Sequence, residues 1–129
     1  MKNLVVKILQ WQARLMLARH QPRVIGVTGS VGKTSTKDAI ATALATSKSV
    51  RKNMKSYNSE LGVPLTILGL KSAWLSPLGW LSNILVGFWR TATYDLPTDT
   101  YFVLELGADK PGDIASLVKW LKPQIGVVT

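Results

Sequence analysis

The sequence contains no cysteine and only one histidine, His20. Without cysteine the chain can form neither a disulfide framework nor a thiolate metal site, which fits a reducing compartment. A single histidine lacks the partner side chains that a metal centre or a catalytic base requires. We therefore interpret His20 as a surface residue near a helix end and expect the functional side chains to be of other types.

Acidic residues are also few, because seven aspartates and glutamates stand against 16 lysines and arginines, a formal net charge of +9. Such a charge suits nucleic acid, an acidic lipid surface or a phosphorylated substrate. The basic residues are spread along the chain, and no nucleic-acid-binding motif accompanies them. We therefore expect no nucleic-acid partner and interpret the excess charge as a solvated basic face.

Long hydrophobic runs are missing as well. The first twenty residues carry charges throughout, so we expect no secretory signal there. The segment Ser72–Trp89 is uncharged, but Pro77 and Gly79 interrupt it, and it is shorter than the roughly 20 residues of a membrane span. Its tryptophans leave two interpretations: a segment lying in a membrane interface, or, as we favour, a helix that covers the sheet or docks on another domain.

The sequence does contain a phosphate-binding loop. Val24 to Thr36 reads VIGVTGSVGKTST, which is an apolar strand, a glycine-rich turn, a lysine with hydroxyl residues and a helix start. Gly29 and Gly32 let backbone N–H groups approach a phosphate, and the helix N-terminus adds its positive dipole. Lys33 supplies charge for the outer phosphates, and the Thr34 hydroxyl is placed to bind Mg²⁺.

The loop departs from the general template at one position, because glycine is found at Gly29 and not at Val27, two residues earlier. The order of strand, loop, lysine, hydroxyl and helix is otherwise as phosphate binding requires. We predict that nucleotide is bound by eight consecutive residues, Thr28, Gly29, Ser30, Val31, Gly32, Lys33, Thr34 and Ser35.

Hydrophobic periodicity predicts the elements around this loop. A basic amphipathic helix over Met1–His20 forms the main part of an N-terminal segment 1–21. Its apolar residues are a stripe of Leu4, Ile8, Trp11 and Leu15, with Val5, Leu9 and Met16 beside it. The helix behind the loop runs from Lys33 to about Thr46 with an inward stripe of Ala39, Ile40, Ala43 and Leu44. The other predicted elements are a strand over Ser49–Asn53, a short helix after Gly62, a loop at Asp95–Thr100, a strand over Tyr101–Leu106, a turn at Asp109–Pro111, a helix over Pro111–Leu121 and a strand over Ile125–Thr129.

Glu105 stands at the end of the predicted strand YFVLEL. Ligands of open α/β sheets bind at the carboxyl ends of the strands, where the phosphate-binding loop also lies. A carboxylate at that place is suited to binding Mg²⁺ beside Thr34. The alternative is an acid that only caps the following turn.

The alternation of strands and helices predicts an α/β fold, namely a P-loop, mostly parallel sheet with helices on both faces. We assign this domain to residues 22–129, with a tryptophan-rich insertion at about 72–99. The last strand is too apolar for an exposed sheet edge, so we expect the sheet to be incomplete at the C-terminus and the chain to be a fragment.

Three blocks of the sequence resemble the Mur ligases. The loop TGSVGKTST looks like the TG-(T/S)-x-GKT-(T/S) loop of that family, which accounts for the shifted glycine. YNSELGVPLTIL resembles the NN-x-x-G-x-PLTLL segment of the D-alanyl-D-alanine-adding branch, with Ser59 in place of the second asparagine. VLELGADKPGDIASLVKWLKPQIGVVT is similar to the corresponding V-x-E-x-G block, with Asp113 in place of a glutamate. The resemblance covers about Pro22–Leu70 and Tyr101–Thr129, and the family's amino-terminal substrate-binding domain has no counterpart.

The resemblance implies an ATP-dependent ligase of peptidoglycan synthesis that uses Mg²⁺. In Mur ligases, a carboxylate of a UDP-linked muramoyl peptide is phosphorylated by ATP, and an amine, here that of D-alanyl-D-alanine, attacks the acyl phosphate to form an amide. By the same resemblance Lys33, Glu105 and Asn58 are catalytic, and Thr34 and Glu105 hold Mg²⁺. The family's second metal site and carboxyl-terminal ligase domain have no counterpart here, so we expect this segment to bind nucleotide without ligating.

Two alternatives remain open at this point. One is another Mur-type ligase, similar to folylpolyglutamate synthase. The other is a non-catalytic nucleotide-binding or membrane-docking module, which the basic first helix and the tryptophan-rich segment suggest. We expect a cytoplasmic protein, and peripheral contact with the inner membrane face is compatible with the ligase as well as with the second alternative.

Overall fold

The computed structural model describes residues 2–54, 57–73, 76–93, 96–97, 99–107 and 111–129. These residues form five α-helices and four β-strands, in the order α1 (Lys2–His20), β1 (Arg23–Thr28), α2 (Lys33–Leu44), β2 (Ser49–Lys52), α3 (Gly62–Leu68), α4 (Pro77–Thr93), β3 (Thr100–Glu105), α5 (Asp113–Leu121) and β4 (Ile125–Val128). Asp109 of the predicted turn and Asp95 of the predicted loop lie outside the described residues.

The four strands form one parallel sheet in the order β2-β3-β1-β4, which confirms the predicted α/β fold. β1 lies inside the sheet between β3 and β4, and Val27 of β1 is in register with Glu105 of β3. Parallel strands end at the same edge, so the loop that follows β1 meets the end of β3. The topology thereby brings the two predicted halves of the site together.

Two hydrophobic clusters, one on each face of the sheet, hold the helices in place. Phe102 and Leu104 of β3 belong to the larger cluster, with residues of α1, α3 and α5, whereas Val103 between them belongs to the smaller one. This alternation is that of a strand buried on both faces. The smaller cluster lies against α2 and contains Ile25, Val27, Ala41 and Val103.

The uncharged segment forms α4, which packs chiefly against α1 and α3. Trp80 and Val86 contact the larger cluster, so the helix is docked on the domain's own helices. No helix among the residues that the structure describes is long and apolar enough to cross a membrane. Much of the rest of α4 is exposed.

The predicted apolar side of α1 is wrong in part. Leu4, Trp11 and Leu15 of the stripe are exposed, whereas Leu9 and Met16, predicted beside the stripe, are buried. Ala13 and Gln12 are buried with them. The helix carries apolar residues on two neighbouring sides, and periodicity cannot tell which one the fold covers. His20 at its end is half-buried, which is less exposed than we predicted.

The inward stripe of α2 is wrong in part. Ile40 and Leu44 pack against the smaller cluster, but Ala39 and Ala43 are exposed. The buried residues of this helix are Ala41 and, unexpectedly, a lysine at position 37. A stripe chosen by hydrophobicity misses a charged residue whose position is determined by polar partners.

Candidate functional site

The phosphate-binding loop follows β1 and ends where α2 begins. Gly29 and Gly32 have φ angles of 140° and 81°, in the region that favours glycine. A Cβ on Gly29 would also collide with Thr129, whose backbone N–H donates to the Thr28 carbonyl and whose hydroxyl donates to the Val31 carbonyl, at 2.9 Å and 2.6 Å. The end of β4 therefore holds the loop in its tight conformation.

The start of α2 has no side-chain cap. Its N-cap residue is Gly32, so no side chain bonds to the first N–H groups of the helix. These N–H groups and the positive end of the helix dipole face the loop, an arrangement that suits a phosphate. Lys33 is half-buried at the first helical position, and Ser30 and Val31 are exposed at the tip of the loop.

Thr34 and Glu105 meet at the carboxyl edge of the sheet. The Thr34 hydroxyl donates a hydrogen bond of 2.7 Å to Oε1 of Glu105. The Glu105 side chain is 1% exposed, and its Oε2 is buried without a hydrogen-bond partner among the described residues. A buried carboxylate oxygen without a donor is an available cation ligand. The pair thus offers the oxygen donors that Mg²⁺ prefers.

Asn53, just after β2, holds the backbone of Glu105. Its side-chain oxygen accepts from the Glu105 N–H and its Nδ2 donates to the Glu105 carbonyl, both at 2.8 Å. Nδ2 also donates to the Tyr57 carbonyl at 2.9 Å. Asn53 is 1% exposed, so these bonds are shielded from water. Sequence analysis placed Asn53 at the end of a short strand and gave it no function, because no motif marks it.

Lys37 extends this polar cluster beneath α2. Its ammonium group donates to the Asn53 carbonyl and lies 3.7 Å from the Asp38 carboxylate. Lys37 is only 2% exposed. A buried cation requires such partners, since desolvation penalises an isolated charge. The only signal in the sequence was a charged residue on a helix side that faces the sheet.

Asp38 lies at the solvent side of the cluster. A hydrogen bond of 3.0 Å from Lys52 is the main cause that lowers the pKa of the Asp38 carboxyl, and the charge of Lys37 adds to it. The Asp38 carboxylate therefore stays ionised at neutral pH and offsets part of the surrounding positive charge.

Asn58 lies beside Gly107, which is two residues beyond the end of β3. Its backbone carbonyl accepts from the Gly107 N–H at 2.7 Å, and a Cβ on Gly107 would lie 3.3 Å from the Asn58 side chain. The structure thus brings all three predicted catalytic residues, Lys33, Asn58 and Glu105, to one edge of the sheet. Among the described residues no group of three or more acids, histidines or cysteines could hold a metal ion, so the candidate cation ligands are Glu105 and the Thr34 hydroxyl.

A parallel α/β sheet with a glycine-rich loop, a lysine and a hydroxyl–carboxylate pair at its carboxyl edge defines the class of P-loop nucleotide-binding domains. The sequence model of the Mur ligase middle domain matches residues 27–76. Over these residues the chain is similar to the middle domain of the Mur ligases.

Curated relatives narrow the comparison to one branch. A UDP-N-acetylmuramoyl-tripeptide–D-alanyl-D-alanine ligase from Synechocystis is 35% identical over 82% of this chain and 18% of the relative. The enzyme of the same name from Bacillus subtilis is 34% identical over 94% of this chain and 21% of its own length. The chain thus spans about a fifth of the length of these relatives.

Solved structures agree with that assignment. A MurF ligase from Thermotoga maritima, crystallised with ADP, aligns over 95% of this chain and 23% of its own, with a TM-score of 0.65 and 30% identity. MurF from Acinetobacter baumannii covers 93% of this chain and 21% of its own, with a TM-score of 0.66. Its identity of 24% supports the fold alone.

Proposed function

We propose that this chain is the nucleotide-binding part of an ATP-dependent ligase that adds D-alanyl-D-alanine to UDP-N-acetylmuramoyl tripeptide. The observation that carries the proposal is the hydrogen bond between Thr34 and a buried Glu105 directly beside the loop. The names of the relatives and the ADP complex of the Thermotoga structure support the choice of reaction and nucleotide. They also favour this reaction over that of a folylpolyglutamate synthase-like ligase.

The residues of the loop would bind and orient the triphosphate of ATP. Backbone N–H groups from Gly29 to Ser35 surround the phosphates, and Lys33 neutralises the charge that develops on the transferred phosphoryl group. Thr34 and Glu105 would hold Mg²⁺, with the threonine oxygen and the free Oε2 as ligands. Mg-ATP supplies the phosphoryl group that converts the acceptor carboxylate into an acyl phosphate.

Asn53 and Asn58 would act at the same edge in different ways. Asn53 is a positioning residue, because its side chain bonds to the backbone of Glu105 and Tyr57. Asn58 has a half-buried side chain next to Gly107 and would contact the nucleotide or its metal. Pre-organised ligands of this kind limit the reorganisation that substrate binding requires.

The remaining parts of the reaction belong to other regions of the ligase. We propose that the UDP-linked muramoyl tripeptide and D-alanyl-D-alanine bind mainly to domains outside these residues, including a carboxyl-terminal ligase domain. Because this chain spans about a fifth of its relatives, it would bind nucleotide without ligating. ATP and UDP-linked substrates place the reaction in the cytoplasm.

Calorimetric titration of the chain with Mg-ATP tests the proposal. Glu105→Gln should raise the dissociation constant about tenfold in Mg²⁺ and leave ATP binding in EDTA unchanged, since it removes the anionic ligand of the cation. Glu60→Gln is the matched control, because Glu60 is an exposed glutamate outside the site. Equal Mg-ATP affinity of wild type and Glu105→Gln would contradict the proposed metal site.

The substrate is tested on the complete protein. Phosphate release is measured with UDP-muramoyl tripeptide plus D-alanyl-D-alanine, and separately with folate plus glutamate. We expect release only with the first pair. Phosphate release only with folate and glutamate would contradict the proposal and support the folylpolyglutamate synthase-like alternative.

A further inference from the structure

The outward side of α4 is apolar. Its exposed residues recur at helical spacing along one side of the helix: Leu78, Leu81, Leu85, Phe88 and Trp89. Leu78 is 79% exposed and Trp89 68%. Single exposed apolar residues are common on protein surfaces, but a continuous row of large ones marks a site of interaction.

The two longest polar side chains of α4 point the other way. Asn83 donates to the Lys71 carbonyl at 2.8 Å, and Arg90 donates to the carbonyls of Leu68 and Gly69 at 2.8 Å and 2.6 Å. Arg90 thereby caps the carboxyl end of α3, whose last carbonyls lack helical partners. The helix differs from an ordinary surface helix, since Asn83 and Arg90 bond to the fold while its large apolar side chains meet solvent.

α1 continues this apolar surface. Leu4, Trp11 and Leu15 are exposed on its outer side, and the rings of Trp11 and Phe88 pack edge to face with centroids 5.8 Å apart. We call the combined surface the α1–α4 face; it consists of Leu4, Trp11, Leu15, Leu78, Leu81, Leu85, Phe88 and Trp89.

Two hydrogen bonds fix the helices side by side. Gln12 donates to the Ile84 carbonyl at 3.1 Å, and Arg19 donates to the Thr91 carbonyl at 2.7 Å. Gly87 allows the close approach, because a Cβ there would collide with the Gln12 amide. The face is therefore a preformed surface that loses little conformational entropy when a partner covers it.

The two helices that form this face carry charges of one sign only. Neither α1 nor α4 contains an acidic residue, whereas α1 carries Lys2, Lys7, Arg14 and Arg19. Lys7, Trp11 and Arg14 follow one another at helical spacing, so two exposed cations flank the exposed tryptophan. A surface of leucine and tryptophan with a cationic border complements a sheet of anionic headgroups above hydrocarbon.

We propose that the α1–α4 face docks on the surface of a bilayer that contains anionic lipids. The two helices lie in the plane of the interface, with leucines in the acyl boundary, Trp11 and Trp89 at headgroup depth, and Lys7 and Arg14 against the lipid phosphates. Both helices lie outside residues 27–76, the part that matches the Mur ligase middle domain, so the proposal does not depend on nucleotide binding.

Vesicle co-sedimentation of the chain tests the apolar part. We expect binding to vesicles of phosphatidylglycerol and phosphatidylcholine, with a blue shift of tryptophan emission. Leu81→Ser with Leu85→Ser should lower the partition coefficient at least about tenfold, because two large side chains no longer enter the hydrocarbon. Ile125→Ser with Val128→Ser is the matched control, since both residues are exposed on β4 and lie outside the face. Circular dichroism and Mg-ATP affinity establish that each variant is folded.

A second pair of substitutions tests the electrostatic attraction to anionic lipid. Lys7→Gln with Arg14→Gln should weaken binding to the anionic vesicles about fivefold or more and reduce its dependence on salt. Pure phosphatidylcholine vesicles should bind the wild type more weakly than the mixed vesicles. Equal binding to both kinds of vesicle would overturn the anionic-lipid assignment.

Two other results would overturn the proposal as a whole. One is absence of vesicle binding by a folded wild-type chain. The other is a wild-type dimer, measured by light scattering, that Leu81→Ser with Leu85→Ser dissociates while vesicle binding stays unchanged. That second result would show that the face joins copies of the chain.

Discussion

The carboxyl edge of the sheet and the α1–α4 face depart from the usual distribution of polar and apolar groups in opposite directions. At the sheet edge a lysine, an asparagine and a glutamate are buried, and nearly every polar atom among them has a partner. On the α1–α4 face large apolar side chains are exposed. The Glu105 oxygen without a partner among the described residues and the exposed apolar side chains each cost stability, and we interpret each as a place for a ligand.

The two regions also differ in how they tolerate substitution. The sheet edge is a hydrogen-bonded network, where the loss of one partner leaves others buried and unsatisfied. The α1–α4 face has few partners to lose, because its side chains end in solvent. Substitutions should therefore change the free energy of unfolding strongly at the sheet edge and weakly on the α1–α4 face. The proposed binding of Mg-ATP at the sheet edge and of lipid at the α1–α4 face should respond to substitutions in both regions.

The largest expected effect is that of Asn53→Ala. Removing this amide leaves the N–H and carbonyl of Glu105 and the carbonyl of Tyr57 without their partner. We expect a loss of about 3 kcal/mol in the free energy of unfolding, measured by urea denaturation. Asn83→Ala is the control, since it removes one exposed hydrogen bond and should cost less than about 1 kcal/mol. Equal losses would mean that the buried network does not support the site.

A smaller effect is expected from Thr34→Val. The substitution keeps the shape of the side chain but removes the hydroxyl that bonds Glu105, so the affinity for Mg-ATP should fall about tenfold. Thr34→Ser retains a hydroxyl and should restore most of the affinity. An equal loss with serine would point to packing of the methyl group as the cause.

A still smaller effect concerns Asp38 and pH. Its pKa is lowered in the folded chain, chiefly by the hydrogen bond from Lys52, so this carboxylate stabilises the fold above its unfolded pKa of about 3.8. That contribution disappears as the pH falls through the lowered, folded pKa. Asp38→Asn should therefore reduce the melting temperature slightly at pH 7 and not at pH 2. Lys52→Gln should behave in the same way, and a difference that persists at pH 2 would contradict the ion pair as the cause.

The smallest effect on stability is expected from Leu85→Ser. Leu85 is 59% exposed, so its loss should change the free energy of unfolding by less than about 0.5 kcal/mol. Leu117→Ala, in the larger cluster and 1% exposed, should cost about 3 kcal/mol. A large destabilisation by Leu85→Ser would show that α4 already buries this side and would remove the contrast between the two regions.

The parts of the site that sequence analysis predicted are those that depend on local order or on strand topology. Gly29, Lys33 and Thr34 belong to one continuous motif, and Glu105 follows from the rule that parallel strands end at one edge. Asn53 and Lys37 escaped prediction because their roles arise from contacts between elements distant in sequence. A buried lysine resembles any other lysine until the partner carbonyl is located.

The orientation of the helices was also beyond sequence-based prediction. Their existence followed from periodicity, but the buried side of α1 did not, because both of its apolar sides satisfy a helical pattern. For α4, periodicity could not show that Asn83 and Arg90 would bond to α3 and the segment after it. Orientation depends on where neighbouring elements leave carbonyls to be capped, and that information is not local.

The Thr34–Glu105 pair at the sheet edge has a consequence for the order of events. No group of three or more acids, histidines or cysteines surrounds Glu105 and Thr34 among the described residues. If this pair binds Mg²⁺ as proposed, the phosphates of ATP complete the coordination, and the cation and the nucleotide would arrive as one species. Free Mg²⁺ would then leave the resting protein unchanged, and the supply of Mg-ATP would govern when this edge is filled.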